Sequence, residues 1–589
     1  MHLRAPLTRR IGRVSCCYCN QSPNRSTLEV DAPAMQSHPH RRRAKACRLL
    51  LAAALSLVFF SSTPADLISK PACALLVPPR RLALTLRAVR DTTATPTPAG
   101  RGHESDAVLL ADWEVMVLLH PDATLPDDGN NATCAFPGGA SSPARALGRL
   151  PSSGRHAYTC AMPRPARRHK PFRAPRLITT TSSSADTAEE DPARSPEMLR
   201  WSGRLVYDSV ALHGGDVLVF AKGVNPRQGV NRAASGVRCV YYLRSAVADA
   251  IVASFPAATS AQEVFRCPPP PTPATELRVT LAVEGEELIP SLAIYSPPRG
   301  GSTPPEKKKL VCACTMVRDV AKFLREWAVY HAAVGVDRFF IYDNGSEDDL
   351  AGQVRHLSSA GLDISTHAWP WPKTQEAGFS HAAAVHQDSC QWMAFVDVDE
   401  FIFSPGWTKS RKPSKSMLRS IVDVDPNVGQ VTLGCADFGP SGQTTDPKEG
   451  VTQGYTCRRR DEERHKSLVR LDSVDPSLVN SIHHFWLRPE FRWERSRRAR
   501  VNHYKYQAWD EFKVKFCRRV STYVADWTDP VNPASRDRTP GLGLKAVQPA
   551  GWAHKFCEVE DTLLRDMTWR WFGVGFRKKP AAGDLDPRF

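Results

Sequence analysis

The chain has 589 residues, of which 42% are hydrophobic and 24% charged. This length allows about two to four domains, and the composition is ordinary for globular protein, so disorder cannot dominate. The net charge of +17 indicates an acidic partner or simply arginine-rich composition along the whole chain. No zinc-finger spacing, P-loop or aromatic RNA-binding signature accompanies it, which makes nucleic acid a weak candidate.

The N-terminal region has the pattern of a membrane anchor. A basic, irregular stretch over 1–48 contains three arginines at 41–43, just before the apolar run 49–60. Positive charge ahead of an apolar segment places the N-terminus in the cytosol. The run is shorter than the roughly 20 residues that cross a bilayer comfortably, so a cleaved signal peptide and a transit peptide remain alternatives. We predict a signal anchor over 49–64, a stem over 65–105 and a luminal remainder.

Short β-like runs separated by turn residues follow, and they predict a sandwich-like module over 106–300. These runs are 113–119, 204–207, 216–220, 237–242 and 277–283. The low-complexity middle, about 140–200, is expected to be a disordered insertion. Four cysteines of the module, Cys134, Cys160, Cys239 and Cys267, allow two disulfides in an oxidising compartment, with buried free thiols as the alternative.

After residue 309 the pattern changes to alternating strands and helices. Strands are predicted at 310–315, 338–342 and 363–367, and helices at 320–334, 348–360 and 376–391, the first of them ending at Gly335. Such βα units imply a mostly parallel sheet, in which ligands bind outside the carboxyl ends of the strands. That rule brings 315–319, 343–346 and 397–400 to one edge.

An acidic stretch closes this series. The apolar run 392–396 is followed by Asp397, Val398, Asp399 and Glu400. In an extended chain residues i and i+2 point to the same side, so Asp397 and Asp399 can converge on one object. Oxygen ligands favour magnesium or manganese, which often hold substrate phosphates. The alternative is a strand end with solvated acids.

Several segments carry a resemblance to a known family. The stretches CTMVRD at 314–319, YDNGS at 342–346, QEAGFSH at 375–381 and DVDEF at 397–401 resemble glycosyltransferase family 92. The stretches FGPSG at 438–442, ERHKS at 463–467 and VNHYKY at 501–506 are similar to its plant branch, the β-1,4-galactan synthases. The resemblance covers 310–575 well and extends weakly into the β-rich module.

The resemblance implies an architecture and an activity. It implies a Golgi type II membrane protein with a carbohydrate-binding-like β domain ahead of a GT-A (Rossmann-like, mostly parallel) catalytic domain over 310–575. The implied reaction lengthens the galactan side chains of pectin from UDP-galactose and uses Mn²⁺. A different sugar donor, a non-catalytic polysaccharide-binding protein and a secreted phosphoesterase are the competing hypotheses, and a homo-oligomer is left open.

The resemblance also implies site residues. Asp399 is expected to bind the metal directly, with Asp397 nearer the ribose or the metal waters, and His503 completes the metal site. Thr315, Arg318 and Asp343 are expected to hold the uridine and ribose. Lys466 and Arg464 would add positive charge against the diphosphate.

Forming a β-linkage from an α-linked donor requires a base that removes the acceptor proton. Glu463 is our candidate because it lies in a family-like segment among cations. Asp437, Asp461 and Glu376 are its rivals, and Asp437 is expected to be idiosyncratic.

A few further residues are expected to be structural. Trp369, Trp371 and Trp486 could stack on acceptor sugars, although a buried core position is the commoner outcome for tryptophan. Cys312 and Cys314 are predicted to be buried free thiols. His483 and His484 have no partner motif and are expected at a strand edge.

Overall fold

The computed structural model describes residues 105–121, 123, 132–179, 195–225, 230–244, 249–271, 277–298, 307–481, 483–515, 548–575 and 577. These residues belong to one compact unit that spans Thr97–Phe589. The predicted basic tail, the signal anchor and all but the last residue of the stem lie within residues 1–104, outside the described residues. Across the described ranges, no helix is long and apolar enough to cross a membrane.

The N-terminal half of the described chain is built from β-strands joined by turns and short 3-10 helices. Its strands are β1 (Asp106–Leu109), β2 (Glu114–Leu118), β3 (Ala132–Ala135), β4 (Ser141–Arg149), β5 (His156–Ala161), β6 (Arg176–Thr179), β7 (Leu199–Arg200), β8 (Leu205–Ala211), β9 (Val217–Lys222), β10 (Val237–Leu243), β11 (Ala250–Pro256), β12 (Thr259–Ala261), β13 (Val264–Cys267) and β14 (Arg278–Val283). They form a seven-stranded sheet of order β6-β3-β4-β5-β2-β1-β7, a four-stranded sheet β12-β13-β9-β8 and a three-stranded sheet β11-β10-β14. The two smaller sheets share one hydrophobic core.

The expected disordered insertion over 140–200 is wrong for much of its length. Strands β4, β5 and β6 lie there and pair within the seven-stranded sheet. The many small and polar residues of this segment predicted disorder. The segment is ordered because its strands pair with neighbours and because it buries the side chains of Ala144, Tyr158 and Cys160.

Disulfides hold the sheets together. Cys134 is bonded to Cys160, and Cys239 to Cys267, so the two disulfides that the module allowed are both present. The second of them joins the two smaller sheets, because Cys239 lies on β10 and Cys267 on β13.

The C-terminal half of the described chain contains two further disulfides, and one of them corrects a prediction. Cys312 is bonded to Cys390, and Cys457 to Cys557. Cys312 was therefore wrongly expected to be a free thiol, whereas Cys314 is buried and free as predicted. The partner of Cys312 lies 78 residues along the chain, and only the sheet order makes them neighbours.

The C-terminal half folds around one mixed eight-stranded sheet. Its strands are β15 (Lys309–Val317), β16 (Arg338–Asp343), β17 (Ile364–Ala368), β18 (Cys390–Phe395), β19 (Glu400–Phe403), β20 (Val428–Asp437), β22 (His465–Arg470) and β23 (Arg492–His503), while β21 (Cys457–Arg458) pairs with β24 (Val559–Glu560). The sheet order is β17-β16-β15-β18-β22-β20-β23-β19. The first four strands are parallel, as predicted, whereas β22 is antiparallel to both of its neighbours.

The helices cover this sheet. They are α1 (Ala321–Val334), α2 (Leu350–Ser359), α3 (Gln375–Val385), α4 (Ser416–Val422), α5 (Val451–Gly454), α6 (509–515) and α7 (Leu563–Phe572). Helix α1 ends at Gly335 as predicted, where φ is +131° and a Cβ atom would lie 2.5 Å from the Lys415 carbonyl oxygen. Helix α3 ends at Val385, earlier than predicted, because His386 begins a turn into β18.

The β-rich region and the eight-stranded sheet share an aromatic core. Trp371 packs on Trp201 and Tyr207, with ring centroids 6.0 and 5.2 Å apart, and Trp369 meets Phe220 at 5.5 Å. Trp369 and Trp371 are fully buried, so they are core residues and not acceptor platforms. Trp486 is 60% exposed and remains available for an acceptor.

Candidate functional site

The acidic stretch forms a tight turn between β18 and β19. The backbone N–H of Glu400 donates to the Asp397 carbonyl oxygen at 3.0 Å, and the Asp397 N–H donates to the Glu400 carboxylate at 2.9 Å. The acids therefore lie on a turn and not on the extended strand that the sequence predicted, although Asp397 and Asp399 both line one cavity. Because the chain reverses here, the two side chains meet different partners.

A cluster of potential metal ligands lies at this turn. One ligand atom each from Asp399, Glu400 and His503 fall within 4.8 Å of one another. His503 Nε2 lies 3.5 Å from Asp399 Oδ2 and 3.7 Å from Glu400 Oε1. The register explains this proximity, since Glu400 on β19 pairs directly with His503 on β23. Two carboxylates and an imidazole are a donor set that suits manganese.

Asp437 holds His503 from behind. Asp437 Oδ1 lies 3.0 Å from His503 Nδ1, and Lys505 Nζ donates to Asp437 Oδ2 at 2.6 Å. Burial favours the neutral acid, but the hydrogen bonds and charges of His503 and Lys505 outweigh it and lower the pKa of Asp437. A carboxylate at this place orients the imidazole and raises its basicity. Asp437 was expected to be idiosyncratic, yet it lies directly behind the candidate ligand.

Two lysines neutralise the acids. Lys466 Nζ lies 2.8 Å from Glu400 Oε1 and 3.1 Å from Asp397 Oδ2, and Lys515 Nζ contacts Asp399 Oδ2. Burial opposes ionisation of Asp399, but Lys515 and His503 outweigh it and lower the pKa of Asp399. Asp397 lies outside the three-residue cluster and pairs instead with Lys466.

His483 is a site residue that the sequence did not reveal. It is buried with φ at +68°, and its Nε2 lies 2.6 Å from Lys466 Nζ. Burial lowers its pKa to about 3, so the ring is neutral and accepts a hydrogen bond from the ammonium. The expectation of a strand edge was wrong for His483, and no sequence signal marked the backbone conformation that turns it inward.

These groups open into a cavity of about 830 Å³. The residues that line the cavity include Val317, Arg318, Phe323, Glu463 and Arg464. The cavity has room for a ligand larger than a single sugar.

The residues predicted to bind the nucleotide differ in whether they line this cavity. Arg318 lines it, and its Nη2 lies 3.8 Å from Glu347 Oε1. Thr315 is fully buried and Asp343 accepts a hydrogen bond from the Ser346 N–H of its own turn at 2.8 Å. Neither belongs to the residues that line the cavity.

Glu463 is the one base candidate that faces the cavity among the described residues. Its carboxylate contacts Arg459 and lies 4.0 Å from Lys505 Nζ. Asp461 and Glu376, its other rivals, are not part of the lining.

The sequence matches proteins of one family. Residues 307–538 match the model of glycosyltransferase family 92. A family 92 protein of Oryza sativa subsp. japonica is 38% identical over 494 residues, which cover 80% of this chain and 80% of that protein. One from Arabidopsis thaliana is 39% identical over 426 residues, covering 67% of this chain and 72% of that protein.

Solved structures show a more distant likeness. The mannosyltransferase PcManGT from Pyrobaculum calidifontis, in complex with GDP-Man and Mn²⁺, is 11% identical and has a TM-score of 0.23. The match covers 45% of this chain and 71% of that one. Residues 1–349 of S. aureus TarS are 10% identical, with a TM-score of 0.22 and coverage of 36% and 65%.

Proposed function

The chain belongs to glycosyltransferase family 92 and is a glycosyltransferase, and we propose that it moves galactose from UDP-galactose to the growing end of β-1,4-galactan. The transfer inverts the anomeric configuration and depends on Mn²⁺. The observation that carries this proposal is the Asp399, Glu400 and His503 cluster beside a cavity of about 830 Å³.

The metal would be held by Asp399, Glu400 and His503. When bound, Mn²⁺ supplies positive charge that stabilises the diphosphate as UDP departs. Burial raises the pKa of Glu400, and Lys466 opposes this and holds the carboxylate in place through its ion pair at 2.8 Å. Asp437 keeps Nδ1 of His503 engaged so that Nε2 faces the cluster.

The cavity wall supplies further charge for the donor. Arg318, Arg464 and Lys466 all line it, and cations at these positions attract a nucleoside diphosphate. Thr315 and Asp343 are then supports beneath the nucleotide and not direct contacts, since Asp343 fixes the turn that begins at the end of β16.

Glu463 is the proposed general base. It lies at the edge of the cavity, where its carboxylate is held between Arg459 and Lys505. In this role it removes the proton of the acceptor hydroxyl as the new glycosidic bond forms at the anomeric carbon and the bond to UDP breaks.

The proposed location is the Golgi lumen, with the 49–64 segment as a type II anchor. Four disulfides in the described part of the chain support an oxidising compartment. The acceptor would then be the galactan side chains of pectin.

The test is transfer by the full-length chain, purified in detergent from a eukaryotic secretory host. It is incubated with labelled UDP-galactose, Mn²⁺ and β-1,4-galacto-oligosaccharides, and product length is measured. We expect stepwise extension that a chelator abolishes. Extension from another sugar nucleotide but not from UDP-galactose would overturn the donor, and full activity under chelation would overturn the metal.

A further inference from the structure

Two large aromatic side chains stand exposed on the C-terminal half. Trp486 is 60% exposed and Trp493 is 57% exposed. Trp486 lies in a hairpin closed by the bridges Asn480 to Phe485 and Val474 to Leu487. Phe485 is buried, so its neighbours His484 and Trp486 point to the opposite, outer side.

A row of rings connects this surface to the cavity. His465 lines the cavity, and its Nε2 lies 3.0 Å from His484 Nδ1. The ring centroid of His484 is 5.1 Å from that of His465 and 6.1 Å from that of Trp493. We call His465, His484, Trp486 and Trp493 the aromatic row.

The middle of the aromatic row is held in place by the sheet. Gln430 on β20 lies 3.1 Å from His484 Nε2 through its amide nitrogen, and its amide oxygen accepts from the Phe485 N–H at 2.9 Å. Gln430 is also the strand partner of Trp493. The His484 ring in the middle of the row is therefore fixed before any ligand arrives, which lowers the entropic cost of binding there.

The chemistry of the aromatic row suits a neutral sugar chain. Tryptophan rings present apolar faces on which the C–H faces of sugars can lie. Burial lowers the pKa of both His465 and His484, so at neutral pH each ring is uncharged. Both nitrogens of His484 are engaged by His465 and Gln430, so its ring contributes an uncharged face, and His465 contributes the polar group nearest the cavity.

Arg492 and Arg495, which lie beside Trp493, are paired with carboxylates. Arg492 Nη2 lies 3.0 Å from Asp425 and Arg492 Nη1 3.1 Å from Glu494. Arg495 Nη2 lies 2.8 Å from Glu462. The charge of these two guanidinium groups is therefore balanced by neighbouring carboxylates.

We propose that the aromatic row is an acceptor subsite, which binds the sugar units that precede the growing end of a neutral β-linked chain. His465 contacts the units nearest the cavity, and Trp493 and Trp486 stack against those farther out. This inference rests on the proposed transferase activity, because the aromatic row can bind an acceptor only if the cavity that it adjoins is the site of sugar transfer.

The test compares Trp493→Ala and Trp486→Ala with the matched control Trp569→Ala, which replaces a tryptophan that is 38% exposed on α7. The acceptors are β-1,4-galacto-oligosaccharides of increasing length. We expect the KM for long acceptors to rise about tenfold in Trp493→Ala, with the KM values for UDP-galactose and for the shortest acceptor unchanged. Thermal midpoints confirm folding.

A second readout separates this inference from the transferase proposal. Mobility of the full-length protein is measured in native gels that contain soluble β-1,4-galactan or polygalacturonate, without donor or metal. Galactan should retard the unmodified chain and Trp569→Ala, but retard Trp493→Ala less, even if no sugar nucleotide supports turnover. An unchanged KM and retardation in both row variants, or retardation by polygalacturonate alone, would overturn the subsite.

Discussion

Carboxylates are buried both at the turn formed by residues 397–400 and at the junction between the β-rich region and the catalytic half. Their pKa values shift in opposite directions at the two places. At the turn, Asp399 is matched by Lys515 and His503, which hold its pKa low. At the junction, Asp208 accepts from the Ser152 hydroxyl and, at 3.2 Å, from Trp371 Nε1, and burial raises its pKa to about 6. Burial alone therefore does not decide whether an acid is charged; the charge of its nearest partners does.

We expect the largest effect when the charge of Asp399, the buried carboxylate at the turn, is removed. We expect Asp399→Asn to reduce turnover by about a thousandfold, since an amide is a weaker ligand and cannot balance Lys515 and His503. Initial rates at saturating UDP-galactose measure the loss. The control is Asp472→Asn, which alters an exposed acid paired with Arg470 and should leave the rate unchanged. A fully active Asp399→Asn variant would refute the metal site.

The second largest effect should come from Asp437, the carboxylate that contacts Nδ1 of His503. We expect Asp437→Ala to weaken Mn²⁺ binding by about 10–100-fold, because the His503 ring loses the carboxylate at 3.0 Å that orients it. The Mn²⁺ concentration that gives half-maximal rate, together with calorimetric Mn²⁺ binding, measures the effect. Asp437→Asn keeps an acceptor oxygen and should recover part of the affinity; if both variants bind Mn²⁺ normally, Asp437 does not position the ring.

The junction should show its difference in the pH dependence of stability. Burial raises the pKa of Asp208 to about 6, above the roughly 3.9 of an unfolded aspartate. Its contribution to stability is therefore complete below about pH 4 and is lost as the pH rises through 6, by about 2–3 kcal/mol.

We expect the thermal midpoint to fall between pH 4 and pH 6.5, and to fall less in Asp208→Asn. The slope is the informative quantity, since the amide also changes the hydrogen bond to Trp371. Asp388→Asn, at an exposed position, is the control. Identical slopes in Asp208→Asn and in the unsubstituted chain would show that Asp208 stays charged when buried.

The mildest change concerns Lys515. Its ammonium contacts Asp399 Oδ2 and so competes with a divalent ion for the same oxygen. We expect Lys515→Ala to tighten Mn²⁺ binding by about threefold in the absence of nucleotide, in keeping with the modest strength of a partly exposed ion pair. Lys513→Ala, an exposed lysine of the same helix, is the calorimetric control. Weaker binding in Lys515→Ala would mean that the lysine supports the site.

Much of the catalytic half follows from periodicity. The apolar spacing of α1 and the glycine after it predicted both the helix and its end, because Gly335 adopts a φ of +131°. The parallel strands β15 to β18 and their common carboxyl edge followed from alternation of strand and helix. These features depend on near neighbours in the sequence.

The parts that were missed depend on contacts between distant residues. The partner of Cys312 is 78 residues away, and strands at 141–179 are ordered by pairing that composition does not show. At the site, the turn at Asp397 sends Asp399 and Glu400, and not Asp397, toward His503, while His483 reaches Lys466 only through a left-handed backbone. No local sequence pattern indicates either of these backbone conformations.

The aromatic core that joins Trp369 and Trp371 to Trp201, Tyr207 and Phe220 has a practical consequence for dissection of the protein. Cleaving the chain near residue 300 would leave both fragments with a water-exposed apolar surface where these rings now meet. Insolubility of a truncated chain would thus reflect that uncovered surface, and would say nothing about whether the β-rich half takes part in catalysis.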